Sequence, residues 1–204
     1  MTDLEFSAYL VSRVCHDLVG PLGAVVNGLE VLEEERDAAM RVDALKVVTS
    51  SAGQALARLQ FMRLAFGAAG SAGTELALGE VHRLIAELLD GGRTTVAWQP
   101  PAENWPKDWA KLLMNGALIG ADCLPRGGEL RIETASGKPY GFKIVAAGTG
   151  ARVSEDTARA LAGDADVSFD ARGILPVLAC KIAKVIDVRL TAVAGADRVE
   201  ILAG

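Results

Sequence analysis

The sequence predicts an α+β chain in two parts. An N-terminal antiparallel helical hairpin pairs with a second copy into a dimeric four-helix bundle, and an α/β sandwich follows, with helices on one face of a mostly antiparallel sheet. Three observations predict this. Two long stretches before residue 67 carry apolar residues at spacings of three and four. GAAGSAGT at 67–74 is a run of small, flexible residues. Beyond it, short helical and alternating patterns are mixed together. The chain therefore divides into 1–68 and 74–204.

In the first helical stretch Val11, Val14, Leu18, Leu22, Val25, Leu29 and Leu32 form a heptad-like seam. Pro21 lies inside it, which predicts a kink about one turn after His16. Asp37 is the expected N-cap of the second helix. That helix carries Val42, Leu45, Val48, Ala52, Leu56, Leu59, Met62 and Phe66 along one side. One hairpin of this size cannot bury its seam on both sides, and a symmetric dimer is the commonest remedy.

In the second part, 76–90 reads as a helix ended by Gly91-Gly92, and RTTVAWQ at 93–99 as a strand stopped by Pro100-Pro101. Residues 106–123 read as a helix with Pro106 in its first turn. GELRIETA at 128–135 and YGFKIVAA at 140–147 read as strands joined by the turn SGKP. Short helices are expected at 154–163, capped by Ser154, and at 174–186. VRLTAVA and DRVEILA close the chain as an antiparallel pair around Gly195.

Composition narrows the function. The 204 residues carry a net charge of −5, half are hydrophobic and 23% are charged, which argues against nucleic-acid or anionic-membrane binding. No apolar run approaches the roughly 18–20 residues that span a bilayer, and the N-terminus lacks a secretory pattern. Cys15, Cys123 and Cys180 show no metal-type spacing, as expected for reduced thiols in a cytoplasmic protein. With two histidines and no Cys-x-x-Cys, neither a zinc site nor another metal or cofactor of the chain's own is expected.

The histidines differ in their surroundings. His82 sits among Leu84, Ile85 and Leu88 with no acidic or thiol cluster, and reads as a structural or surface residue. His16 points away from the seam, about 160–200° from Val14 and Leu18 at 100° per residue. On its own face, Gly20 lies about 40° away, and Gly23 and Asn27 about 20° to either side. Such a stripe lets another backbone approach the ring, at a helix-propensity cost of about 1 kcal/mol per glycine. Arg13 adds a positive charge one turn earlier, and Asp17 follows the ring, where it can orient it or accept its proton. An accessible imidazole with a landing strip and a nearby cation suits transient phosphoryl acceptance.

The string HDLVGPLGAVVNG, His16 to Gly28, resembles the H-x-L-x-x-P-L phosphoacceptor box of two-component histidine kinases. It is more similar still to the H-D-L-x-x-P-x-G-A-x-x-N-G version of alphaproteobacterial histidine phosphotransferases of the cell-cycle phosphorelay. The resemblance implies a dimerisation hairpin followed by a degenerate kinase-type ATP-binding domain. KLLMNGALIGADCLPRGG (111–128) resembles the kinase asparagine box, with Gly120 aligned to the Mg²⁺-binding Asn and Cys123 to the phosphate-binding Lys. VAAGTGAR (145–152) resembles the D-x-G-x-G motif with Ala146 in place of the adenine-binding Asp. RGILPVL (172–178) is what remains of the phosphate loop. Losing these contacts together argues against productive ATP binding.

The implied function is relay of a phosphoryl group between aspartates of receiver domains through phospho-His16. The partners implied are receivers of a hybrid histidine kinase and of response regulators, and the receiver brings the Mg²⁺. His16 is the phosphoacceptor, assisted by Asp17 and Arg13, while Gly20, Gly23 and Asn27 take the partner helix. The alternatives are an autophosphorylating kinase with a divergent ATP site, or an inert module that sequesters regulators.

Overall fold

A computed structural model describes residues 1–67, 75–135, 140–163 and 173–204. The SGKP turn and all of the small-residue run except Gly67 lie outside the described residues. Helix α1 spans Asp3–Glu34 without a break at Pro21, and starts on a capping box in which Thr2 and Glu5 satisfy each other's backbone N–H groups. Helix α2 spans Ala38–Ala65, with the Asp37 carboxylate accepting from the Ala39 and Met40 amides as the sequence predicts. At the hairpin tip Arg41 donates to the Leu32 and Glu35 carbonyls, covering the exposed C-terminal end of α1.

The second part runs β1 (Glu75–Ala77), α3 (Leu78–Leu89), β2 (Thr94–Trp98), β3 (Asn104–Pro106), α4 (Lys107–Asp122), β4 (Gly128–Thr134) and β5 (Phe142–Ala147). It ends with α5 (Glu155–Leu161), α6 (Ile174–Val185), β6 (Leu190–Gly195) and β7 (Arg198–Ala203). Five strands form one sheet in the order β2-β4-β5-β7-β6. Only β2 and β4 pair in parallel, because a crossover through α4 joins them. Period-two alternation sends Leu130 and Ile132, Phe142, Ile144 and Ala146, and Val199, Ile201 and Ala203 to the face covered by helices. The opposite face carries charges, including the Lys143–Glu200 and Arg131–Glu129 ion pairs. This is the α+β arrangement read from the sequence.

Two local readings need correction. Residues 75–77 are a strand rather than the start of α3, and they pair with 104–106, Leu76 facing Trp105. Two three-residue strands, one ending in proline, leave no periodic signal. For the same reason Pro106 closes β3 and serves as the N-cap of α4 instead of lying in its first turn. Ser154 does cap α5, accepting from the Thr157 amide. His82 stacks on Trp98 with ring centroids 4.8 Å apart, a packing role in line with its surroundings in sequence.

The hairpin and the sheet share a core. Phe61 and Ala65 at the end of α2 are buried among Leu76, Leu78, Val81 and the α4 side chains. The C-terminal carbonyls of α2 are met from α4, with Lys111 Nζ 2.7 Å from the Gly67 carbonyl and Asn115 Nδ2 3.2 Å from that of Ala65. Burial and the neighbouring Lys107 charge lower the Lys111 pKa. Farther up, Lys181 of α6 lies over the Phe6 ring of α1. The rest of the hairpin stays uncovered: Val11, Leu22 and Leu29 of α1 and Val42, Leu45, Leu56 and Leu59 of α2 are each about half exposed or more. No helix among the described residues is long and apolar enough to cross a membrane.

Candidate functional site

Helix α1 presents the His16 ring to solvent, with 56% of the side chain exposed. Its Nδ1 lies 3.1 Å from Asp17 Oδ1. With Nδ1 as the donor of that bond, Nε2 carries the free lone pair of a ring that is more than half exposed. Asp17 is itself held, its other oxygen accepting from Arg13 Nε at 2.7 Å. On the His16 face a side chain added at Gly20 or Gly23 meets nothing within 4 Å, and Asn27 is exposed. The ring and its stripe form one open surface, bounded on one side by Val19 and Val26.

Arg13 departs from the sequence-based expectation. It is 6% exposed, and its Nη1 lies 3.8 Å from the Asp122 carboxylate of α4 while making no hydrogen bond among the described residues. Arg13 lies about 60° round the helix from His16, on the side where the second part packs. Its charge is therefore held between two carboxylates, and it meets the site through Asp17. Sequence reasoning missed Arg58, whose Nη1 reaches across from α2 to donate to the Asp17 main-chain carbonyl at 3.0 Å. The signal was an arginine placed on a helix face otherwise given to packing.

The three kinase-like stretches meet around one cavity of about 280 Å³, bordered by α4, by the loop after β5 and by the first turn of α6. Residues 164–172 lie outside the described residues. Of the two α4 positions aligned to kinase ligands, Cys123 borders the cavity and Gly120 does not. A Cβ at Gly120 would lie 2.7 Å from Leu130 Cδ1 and 3.2 Å from Ile144 Cγ2, so that position faces the sheet. Ile119, Asp122 and Cys123 at the end of α4 border the cavity. A buried isoleucine, a thiol and a carboxylate therefore stand on the cavity side of α4, and none of them is a cation that could meet phosphate. Asp156 adds a second carboxylate, against the single cation Arg152 among the bordering residues described. Ala146 is fully buried on β5 and offers no hydrogen bond to a base. Among the described residues this lining opposes triphosphate charge more than it neutralises it.

Comparison with known proteins shows the family. The histidine phosphotransferase C-terminal domain family matches residues 78–198. Protein phosphotransferase ChpT of Brucella abortus (strain 2308) is 42% identical over 132 residues, which is 65% of this chain and 62% of the Brucella protein. The solved structure of a bacterial phosphotransferase superposes with a TM-score of 0.86 at 34% identity, covering 100% of this chain and 98% of the other. The matched region spans more than half of the chain, which belongs to the histidine phosphotransferase family.

Proposed function

We propose that this protein relays phosphoryl groups between receiver domains through His16, acting as a homodimer and without ATP. The observation that carries the reading is the exposed His16 ring beside an open glycine stripe, with Nδ1 tied to Asp17 at 3.1 Å. Nε2 attacks the phosphorus of a receiver's aspartyl phosphate. The P–O bond to the aspartyl oxygen breaks, and the aspartate leaves as carboxylate. As positive charge develops on the imidazole, Asp17 stabilises it through Nδ1–H. In the second half the acceptor aspartate attacks the same phosphorus, the P–N bond breaks, and neutral His16 is returned.

Phosphoryl transfer depends mainly on in-line positioning and charge neutralisation. In this reading the receiver brings Mg²⁺, and this chain contributes the nucleophile and a docking face made by Gly20, Gly23 and Asn27. The uncovered apolar face of the hairpin supports pairing with a second copy, which buries Leu22, Leu29, Leu45 and Leu56 in a four-helix bundle. A cytoplasmic location suits the exposed Cys15 thiol and the receiver partners.

The test incubates a phosphorylated receiver domain with the wild type and with His16→Gln, and in parallel supplies labelled ATP. Acid-labile phosphate on the wild type alone, with no labelling from ATP, is the expected result. Equal loss of receiver label with both proteins would overturn the relay. Labelling of His16 by ATP without a donor protein would instead make this a kinase.

A further inference from the structure

Pro21 creates a problem that the sequence leaves unsolved. In an α-helix the amide of residue 21 would donate to the carbonyl of Asp17, four residues earlier. Proline has no N–H, and its ring presses on that same carbonyl. The carbonyl belongs to the residue that holds the His16 ring, so an unpaired, displaced group here would loosen the turn carrying the nucleophile. Arg58 supplies the missing donor: its Nη1 lies 3.0 Å from the Asp17 carbonyl oxygen, from 41 residues along the chain.

Asp17 is thereby held at both ends by guanidinium groups. Arg58 holds its main chain, and Arg13 holds its side chain at 2.7 Å, leaving the second carboxylate oxygen for His16 Nδ1. The two arginines come from different places. Arg13 is wedged against Asp122 of α4, whereas Arg58 is half-buried on α2 beside Leu88, Leu89 and Gly91 at the end of α3. One cation thus reaches Asp17 from its own helix and the other from α2.

We propose that Arg58 is a positioning residue for phosphotransfer, its guanidinium standing in for the amide that Pro21 removes and so fixing the Asp17–His16 turn. This rests on the reading of His16 as phosphoacceptor. It makes a prediction that a general packing role does not make: the need for Arg58 depends on Pro21. Restoring an N–H at position 21 gives the Asp17 carbonyl its ordinary helical partner and removes that need.

The experiment is a double-mutant cycle on the full chain with Arg58→Met, Pro21→Ala and both together. Transfer from a phosphorylated receiver to His16 gives kcat and the KM for receiver, and far-UV circular dichroism checks the helices. Arg58→Met is expected to lower kcat about tenfold through misplacement of the ring, with KM changed less than about twofold. In the Pro21→Ala background the same substitution is expected to cost less than about twofold. Nitrogen NMR of the unphosphorylated protein reads the His16 tautomer independently: Arg58→Met mixes the two tautomers, and the double variant restores the Nδ1–H form.

Equal loss from Arg58→Met in both backgrounds would overturn the proposal, as would a loss confined to KM or an unchanged His16 spectrum. Arg58→Lys, which keeps a donor, recovers part of kcat; no recovery beyond the Arg58→Met level counts against it. Failure of the phosphoacceptor reading is told apart by His16→Gln, which then takes up as much phosphate as the wild type.

Discussion

Helices α1 and α4 both carry glycines inside a helix, for opposite physical reasons. Helix α1 has 32 residues and buries only Arg13 and Gly28, whereas α4 has 16 and buries nine. Side chains added at Gly20 and Gly23 of α1 would point into open space. Side chains added at Gly116 and Gly120 of α4 would strike Ile144, Phe142 and Leu130 at 2.7–3.1 Å. In α4 glycine lets a helix press onto a sheet. In α1 Gly28 likewise lets the helix press on Val48 of α2. At Gly20 and Gly23, however, the helix-propensity cost returns nothing within the chain itself, which points to a partner outside it. Helix α4 is core, and its Lys111 and Asn115 tie down the end of α2. Helix α1, which carries His16, is surface.

The sharpest way to break this contrast is to charge the uncovered hairpin face. Leu45→Glu or Leu56→Glu is expected to convert a dimer to monomers by light scattering. Each buried leucine lost removes about 1.5–3 kcal/mol, twice per symmetric interface. A wild type that is already monomeric at micromolar concentration would show that this face has another use.

The glycines give the next largest effect, and here the sign carries the information. Gly20→Ala and Gly23→Ala are expected to raise unfolding stability by about 0.5–1 kcal/mol each while slowing transfer from a phosphorylated receiver. Gly120→Ala is expected to lower stability by about 1–3 kcal/mol, because Leu130 must move. Thermal unfolding and the transfer rate, measured on the same samples, decide it. Faster transfer in the stabilised variants would remove the docking role from the stripe.

The thiols give the smallest effect. Cys15 is exposed beside His16 and is expected to react first with iodoacetamide near pH 8. Burial, assisted by the Asp122 charge, pushes the Cys123 thiol up to about 12 from an ordinary 9. The folded protein therefore keeps that proton where the unfolded chain releases it. The contribution to stability is complete below pH 9 and is lost as pH rises toward 12. Unfolding midpoints measured across that window should fall less steeply in Cys123→Ala than in the wild type.

The neighbourhood of His16 was legible because helical geometry is local. A fixed 100° step places Gly20, Gly23 and Asn27 on one stripe with the ring and turns the apolar seam away, whatever the rest of the chain does. Asp37 and Ser154 as caps follow from the same short-range logic. The α+β class was legible from periodicity, whereas the three-residue pair β1 and β3 was not, since neither strand is long enough to show a period. The kinase-like motifs could be recognised in sequence, but which of their α4 residues face the sheet could not. Only the packed sheet shows that Gly120 faces Leu130 and that Ile119 and Asp122 face the cavity.

The sequence by itself determined which residue is the candidate nucleophile, which face it shares and which face is apolar. Tertiary structure alone decided the fate of the charges. Arg13 reads as a cation on the His16 side until the second part closes over it and pins it between Asp17 and Asp122. Arg58 reads as one more helix residue until the hairpin folds and sets it against the carbonyl that Pro21 leaves open. Backbone periodicity is written in nearest neighbours along the chain. The partner of a guanidinium is set by which elements pack together, and those elements are dozens of residues apart.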